Sequence, residues 1–552
     1  MANIPRKVIR EMQTDVIKMV QLLPTRPNVS RPDAQAIRSE AEKYGTITNF
    51  GNYNFVSTVK NRSAPFTVYL GGHDVEQKKL NDDQKYIVRN LPSTMLNLHE
   101  YQKHAPLVRV KRFMGRNRHF VPQCKLYVSV HRKDAVRLAH FMSVAMFEEA
   151  RGAGPDLSLV YIPEWHERHR QILVFPRAGI TYVLGTDYYG EVKKGFLRMA
   201  MWQAKQQNML GLHAGTKLLV AKDKHGKLRR YGMILFGLTA TGKTTHSCHD
   251  HRLTAKGESA KVLQDDVVFL CKDGTAYGTE KGYYVKTEGL DTETQPALYR
   301  ACTSPYALLE NVMVDFEGNV HFDEDCLTGN GRAMVQRDDL GRGQVARGSD
   351  LPRLSDLDGL IIAFITRRNT VVPIASKLTP EQAAGAFMLG ESIESSGGDP
   401  RKAGQSVRVV GTNPFLIGDE TEEGNWFYDF VKSHEDKVQC YLLNTGGIGE
   451  IRVVGEDGMP LIKQGVTRVQ IEEMASIIRG IARNTIEWTN DSLWRVHVPK
   501  HVEGADIGRF DLHRFYLRRS VEKYSKQLKT ERIEYLEKFP SLDPAIIKAY
   551  KF

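Results

Sequence analysis

Two rhythms of apolar and polar residues run along this chain. Residues 1–45 repeat in the amphipathic helical pattern, broken between Pro24 and Pro32. From Ile47 to Tyr69 the pattern changes to short strand-like runs. Further on, 125–130, 157–162 and 171–175 read as strands, and 135–150 and 196–208 as helices. The apolar run Met233, Ile234, Leu235, Phe236 reads as a buried strand, as do 307–312 and 360–366. Residues 261–270 form an apolar strand interrupted by Asp265 and Asp266. Thr379 and Pro380 mark a helix start, Thr379 capping and Pro380 opening the first turn. Residues 440–447 run as a strand into a glycine turn, and 511–552 as a charged helical tail. Strands alternating with helices over this length predict an α/β fold of two or three domains.

One stretch organises the rest. Gly237, Leu238, Thr239, Ala240, Thr241, Gly242, Lys243 and Thr244 fit the pattern G-x-x-x-x-G-K-[ST], the P-loop. A buried strand stands directly before it, and the first turns of a helix are expected directly after. Strand, tight turn and helix start together aim backbone N–H groups and the positive end of a helix dipole at one spot. A triphosphate suits that spot. Lys243 would reach its terminal phosphates, and the Thr244 hydroxyl would hold a divalent cation. Two carboxylates inside an apolar strand are costly unless they bind a cation or accept hydrogen bonds. Asp265 and Asp266 therefore read as the second half of a magnesium–nucleotide site.

Composition narrows the class. The 552 residues are 41% hydrophobic and 26% charged, the balance of a soluble globular protein. No run of 18 apolar residues predicts a membrane span, and no apolar core follows Met1–Arg10 to suggest a secretory leader. Six scattered cysteines without C-x-x-C pairing point to a reducing cytoplasm. The net charge of +12 suits polyanionic ligands. The basic residues are spread along the chain, with no track of Lys and Arg among stacking aromatics, so nucleic acid is not the expected partner. Residues 395–407, rich in Gly, Ser and charge, are expected to form a mobile lid.

Taken in order, several stretches resemble the ATP-dependent phosphoenolpyruvate carboxykinase family. The loop 237–245 resembles that family's kinase loop, with Ala240 where the family usually has glycine. Residues 183–195, holding Tyr188, Lys193 and Lys194, are similar to its substrate and metal segment. His213 falls at its metal histidine, and Asp265–Asp266 at its aspartate pair. Asn330-Gly331-Arg332 resembles a stretch ending in its phosphate-facing arginine, and Asn61-Arg62-Ser63 the loop whose arginine holds the substrate carboxylate. Asn444-Thr445-Gly446 is similar to its glycine turn near the base-binding region. Val267 and Val268 follow the aspartates where the family has an acid and a histidine, which marks a divergent branch.

The resemblance implies a two-domain phosphoenolpyruvate-carboxykinase-like fold: 1–220 an α/β substrate-binding domain, 221–552 a P-loop nucleotide-binding domain. It implies ATP as substrate and Mn2+ and Mg2+ as metals. Lys194, His213 and Asp266 would hold one cation, Lys194 as a neutral amine beside a dication. Thr244 would hold the nucleotide's Mg2+, with Asp265 on its hydration shell. Thr245 would complete the nucleotide loop. Lys193, Lys243 and Arg332 would neutralise the moving phosphoryl group. Arg62 would grip a substrate carboxylate and Tyr188 the departing one. Arg452 and Thr467 would contact the nucleoside. The implied small molecules are oxaloacetate, phosphoenolpyruvate and carbon dioxide, in a gluconeogenic reaction, with no membrane partner. The competing expectations are a P-loop enzyme acting on another small carboxylate or on nucleic acid, and a retired nucleotide sensor.

Overall fold

The computed structural model describes the chain except for residues 1–5, 60, 73, 76, 78, 239–240, 342, 395–403 and 455–459. It divides into two compact units. The first takes the chain to Gly211, then Tyr277–Arg342 and Phe415–Asp419; the second takes Leu212–Ala276, Gly343–Pro414 and Glu420–Phe552. It is a mixed α/β architecture.

In the first unit a seven-stranded sheet runs in the order Val29–Ser30, Leu107–Phe113, Gln123–Ser129, Asp156–Ile162, Ile180–Leu184, Gln171–Phe175, Thr67–Tyr69. Its inner strands are buried along almost their whole length, as expected of a sheet covered on both faces. Val160, Leu173 and Tyr182 face a core shared with Val16 and Leu23 near the N-terminus and with Ile87, Leu91 and Leu98 of helix Asp82–Tyr101. Helix Gly190–Lys205 packs against strand Asp156–Ile162. The sequence pattern predicts this helix from Phe196. The observed start at Gly190 puts Lys193 and Lys194 on helix rather than in a glycine turn, because burial of nearly every side chain outweighs the poor helix propensity of Gly190 and Gly195. A second sheet, in the order Gly282–Lys286, Arg332–Gln336, Leu308–Glu310, Tyr53–Phe55, Thr46–Ile47, carries Arg332.

In the second unit the central strands Leu228–Gly237, Gly359–Thr366 and Val438–Asn444 are parallel neighbours. Strand Leu210–Lys222 pairs antiparallel with the first of them. The central strands are apolar because helices cover them; Phe236, Phe364, Phe387 and Phe427 form one aromatic stack beneath the carboxyl end of the sheet. All three parallel strands end at the same edge, at Gly237, Thr366 and Asn444. That edge of an open α/β sheet is where ligands bind. The C-terminal tail docks on this unit: Arg532 of helix Arg518–Leu536 pairs with buried Glu391 at 2.6 Å, and the Tyr550 hydroxyl donates to the Gln382 carbonyl at 2.9 Å. Of the expected lid, residues 395–403 lie outside the described residues; Ser406–Arg408 pairs with Glu391–Ile393 as a short hairpin. Among the described residues no helix is long and apolar enough to cross a membrane.

The helix expected after Thr379 is observed as Pro380–Leu389, with a reciprocal capping box between Thr379 and Gln382. Thr379→Ala is expected to lower unfolding free energy by about 1 kcal/mol in a urea titration.

Candidate functional site

In the second unit the phosphate-loop candidates stand where strand Leu228–Gly237 turns into helix Lys243–Cys248. Gly242 caps that helix at φ +91°, a conformation a side chain would strain, and offers no side chain to fill the helix start. The Thr241 hydroxyl donates to the Leu238 carbonyl at 2.8 Å, and the Thr445 hydroxyl donates to the Thr241 carbonyl at 2.7 Å. The turn Asn444-Thr445-Gly446 thus steadies the loop from the neighbouring strand end. Thr245 lies in the helix and its carbonyl accepts from His249 N–H at 2.9 Å. Thr239 and Ala240 lie outside the described residues.

Asp265 and Asp266 do not sit within a continuous strand. The strand breaks there, into Ser259–Gln264 and Val267–Leu270. On a regular strand, neighbours point to opposite faces. The break lets both carboxylates serve one region. Asp265 accepts from the Thr244 hydroxyl at 3.1 Å, and its carbonyl accepts from Lys243 Nζ at 2.9 Å. Asp266 Oδ1 lies 3.7 Å from Lys243 Nζ and 3.0 Å from His213 Nε2. His213 Nδ1 lies 2.7 Å from the Thr412 carbonyl oxygen. A neutral imidazole has one N–H, so both ring nitrogens facing oxygens calls for an imidazolium or for a cation shared by Nε2 and Asp266. Among the described residues no cluster of three His, Cys, Asp or Glu side chains is placed to hold a metal, so this pair needs donors of another kind to complete a shell. Arg452 and Thr467 are also in this unit: Arg452 donates to Glu450 at 2.6 Å, and Thr467 pairs with Ile448 beside the glycine turn.

The first unit groups the candidates for the small acid. Arg62 and Lys194 share one ring: the Arg62 guanidinium carbon lies 4.3 Å from the centre of Phe415 and Lys194 Nζ 4.8 Å. Phe415 escaped the sequence reading, since an isolated aromatic after Asn413-Pro414 carries no periodic signal. Tyr188 is buried, and its hydroxyl lies 3.4 Å from Asn330 Nδ2. Asn330 also accepts from Arg332 at 3.1 Å, which joins Tyr188 and Arg332 through one amide. Lys193 is buried against Glu280 at 2.6 Å, another partner the sequence did not disclose.

Buried carboxylates tie these loops together. Asp187 accepts from the Thr58 N–H at 2.9 Å and hydroxyl at 2.8 Å, and from Arg137 at 3.2 Å, fastening the loop before Arg62 to the segment before Tyr188. Glu191 accepts from the Ser63 N–H. Glu310 accepts from the Tyr189 N–H at 3.3 Å, and its burial pushes its carboxyl up. Burial alone would raise Asp187 as well, but Arg137 and Thr58 outweigh it and hold the carboxyl below its usual range. That stabilisation is present above the ordinary value of 3.8 and is lost as pH falls through the lower folded value. Asp187→Asn is therefore expected to lower the melting temperature at neutral pH and to flatten its decline below about pH 4, measured by thermal melts across that range.

A profile of the phosphoenolpyruvate carboxykinase family matches residues 28–507. Phosphoenolpyruvate carboxykinase (ATP) from Aeropyrum pernix is 29% identical over 518 residues, which cover 93% of this chain and 94% of that protein. The proteins of the same name from Lysinibacillus sphaericus and Christiangramia forsetii are 30% and 29% identical over 60% and 59% of this chain. Those two matches span 57% and 56% of the relatives' own lengths. With its profile matched from residue 28 to residue 507, the chain belongs to the phosphoenolpyruvate carboxykinase family.

Proposed function

We propose that this chain converts oxaloacetate and ATP into phosphoenolpyruvate, ADP and carbon dioxide, reversibly. The observation that carries this reading is the grouping of Lys243, Thr244, Asp265, Asp266 and His213 in one unit of a chain of this family. The keto acid loses carbon dioxide, the electron pair of the broken C–C bond forms an enolate, and the enolate oxygen attacks the terminal phosphorus of ATP while the bond to ADP breaks. Negative charge moves through both steps, so the residues needed are cations and donors fixed in advance.

The donor set fits a divalent cation, because His213 Nε2 and Asp266 Oδ1 stand 3.0 Å apart with the other imidazole nitrogen held by a carbonyl. Lys194 is the proposed third protein donor, and Thr244 the proposed ligand of the nucleotide's own Mg2+. A bound Mn2+ or Mg2+ supplies Lewis-acid stabilisation of charge on the enolate oxygen. Arg62 orients a substrate carboxylate, with Phe415 stacking its guanidinium in place. Tyr188 donates to the carboxyl that leaves. Lys243, Lys193 and Arg332 balance charge on the phosphoryl oxygens, and Glu280 holds Lys193 in its buried position. Gly237, Leu238, Thr239, Ala240, Thr241, Gly242 and Thr245 complete the nucleotide loop, with Arg452 and Thr467 toward the nucleoside. The proposed division of labour keeps the keto acid with the unit of Arg62 and Tyr188 and the nucleotide with the unit of Lys243. The expected parts are 1–220 and 221–552, whereas 277–342 join the first unit and 212–220 the second. The stretch 395–407 keeps its proposed part as a lid. Cytoplasmic location, without nucleic-acid or membrane partners, accords with the small soluble substrates and with six scattered cysteines that lack C-x-x-C pairing.

A coupled assay for phosphoenolpyruvate formation tests the reading, with oxaloacetate, Mn2+ and either ATP or GTP. Activity with ATP is expected, and Lys243→Met is expected to reduce it at least about a hundredfold, in the range of lost charge stabilisers; full turnover in that variant rejects the loop assignment. His213→Gln is expected to weaken Mn2+ binding at least about tenfold in a titration without nucleotide; an unchanged titration removes His213 from the metal set.

A further inference from the structure

The helix that carries Lys243 and Thr244 is six residues long, too short to hold its position by its own hydrogen bonds. What anchors its far end is a buried lysine that the reaction scheme does not use. Lys217 stands on strand Leu210–Lys222, on the same face as His213 and Gly215 by the two-residue period of a strand. It is fully buried. Its ammonium donates to the carbonyl of His246 at 3.0 Å and to that of His249 at 2.5 Å, and it lies 3.0 Å from His251 Nε2. An ammonium has three donors, and here it has three acceptors.

Each acceptor belongs to the end of the loop helix or to the turn that follows. The last carbonyls of a helix have no partner within it, and a cation there also meets the negative end of the dipole. The strand approaches closely: a Cβ at Gly215 would fall 2.1 Å from Ser247 Oγ, so only glycine lets the helix lie at this depth. The turn beyond is strained, since His251 and Arg252 both adopt left-handed conformations, at φ 54° and 52°. Strain of this kind persists only where the surroundings over-determine it. Here His249 Nδ1 accepts from the His251 N–H at 2.8 Å, Arg479 donates to the His251 carbonyl at 3.4 Å, and Arg252 pairs with Glu472 at 2.7 Å. Burial draws Lys217 down to about 7, which the nearby Cys248 and Asp250 oppose. Burial, and then Lys217 itself, holds His251 well below its usual range, so its Nε2 stays free to accept.

We infer that Lys217 is a positioning residue for nucleotide binding: it bolts the C-terminal end of helix Lys243–Cys248 to the strand that bears His213, and so sets where Lys243 and Thr244 stand. The inference rests on the reading of that loop as the nucleotide site. A residue that merely contributes stability would not weaken ATP selectively.

Lys217→Met keeps the length of the side chain and removes the donors. ATP binding is measured by calorimetry without oxaloacetate, so it is readable whether or not the chain turns oxaloacetate over. The ATP dissociation constant and the KM for ATP are expected to rise about tenfold, as for loss of charged hydrogen bonds. The KM for oxaloacetate is expected to stay within about twofold. Unchanged ATP affinity in a folded variant overturns the inference, and so does a parallel rise of both KM values. If Lys217→Met does not fold, His251→Phe decides: it removes one acceptor, and a rise of about threefold in the ATP constant alone supports the role, whereas no rise overturns it. Wild-type protein that binds ATP yet forms no phosphoenolpyruvate would count against the proposed reaction and leave this test standing.

Discussion

Two adjacent carboxylates cannot both face one region from a regular strand, because the pleat sends them to opposite faces. The break between Gln264 and Val267 resolves this constraint, and the arrangement around Lys243 depends on it. Once the strand is interrupted, Asp265 can meet Thr244 while Asp266 meets His213 and approaches Lys243. The cost of burying acids in an apolar sheet is offset by these partners. Val267 and Val268, which follow, return at once to the fully buried pattern, so the charged excursion is confined to two residues.

The first unit solves a related problem with buried anions. The cationic and hydroxyl groups of Arg62, Tyr188, Lys193, Lys194 and Arg332 come from a loop, a helix with the segment before it, and a second sheet. Asp187, Glu191 and Glu310 act as internal fasteners, each accepting from backbone N–H groups of segments distant in sequence. Their hydrogen bonds hold the loop before Arg62 and the helix that bears Lys193 and Lys194 to one scaffold. Phe415 adds a flat surface over which Arg62 and Lys194 both lie, where like charges would otherwise repel.

In both units deeply buried charged groups hold their neighbours in place. Lys193 with Glu280 and Lys217 with its three acceptors are the extreme cases. Partners missing at such sites would leave a charge in low dielectric, so these contacts define one arrangement more sharply than apolar packing does.

The linear order of residues was enough to give the glycine loop, the central strands, the capped helix at Thr379 and the family. These signals are local: a spacing of glycines and a lysine, a run of apolar residues, a cap three residues before its glutamine. It could not give Phe415, Glu280 or Lys217, because a partner tens to hundreds of residues away leaves no mark on the periodicity around it. Nor could it show that helix Gly190–Lys205 begins before its internal glycines, since burial against a strand outweighs propensity. The assignment of 277–342 to the first unit, which carries Arg332 and Glu280 there, was likewise settled by which sheet the strands join. Local chemistry is written residue by residue; which charges meet is decided only when the chain closes on itself and water is excluded from between them.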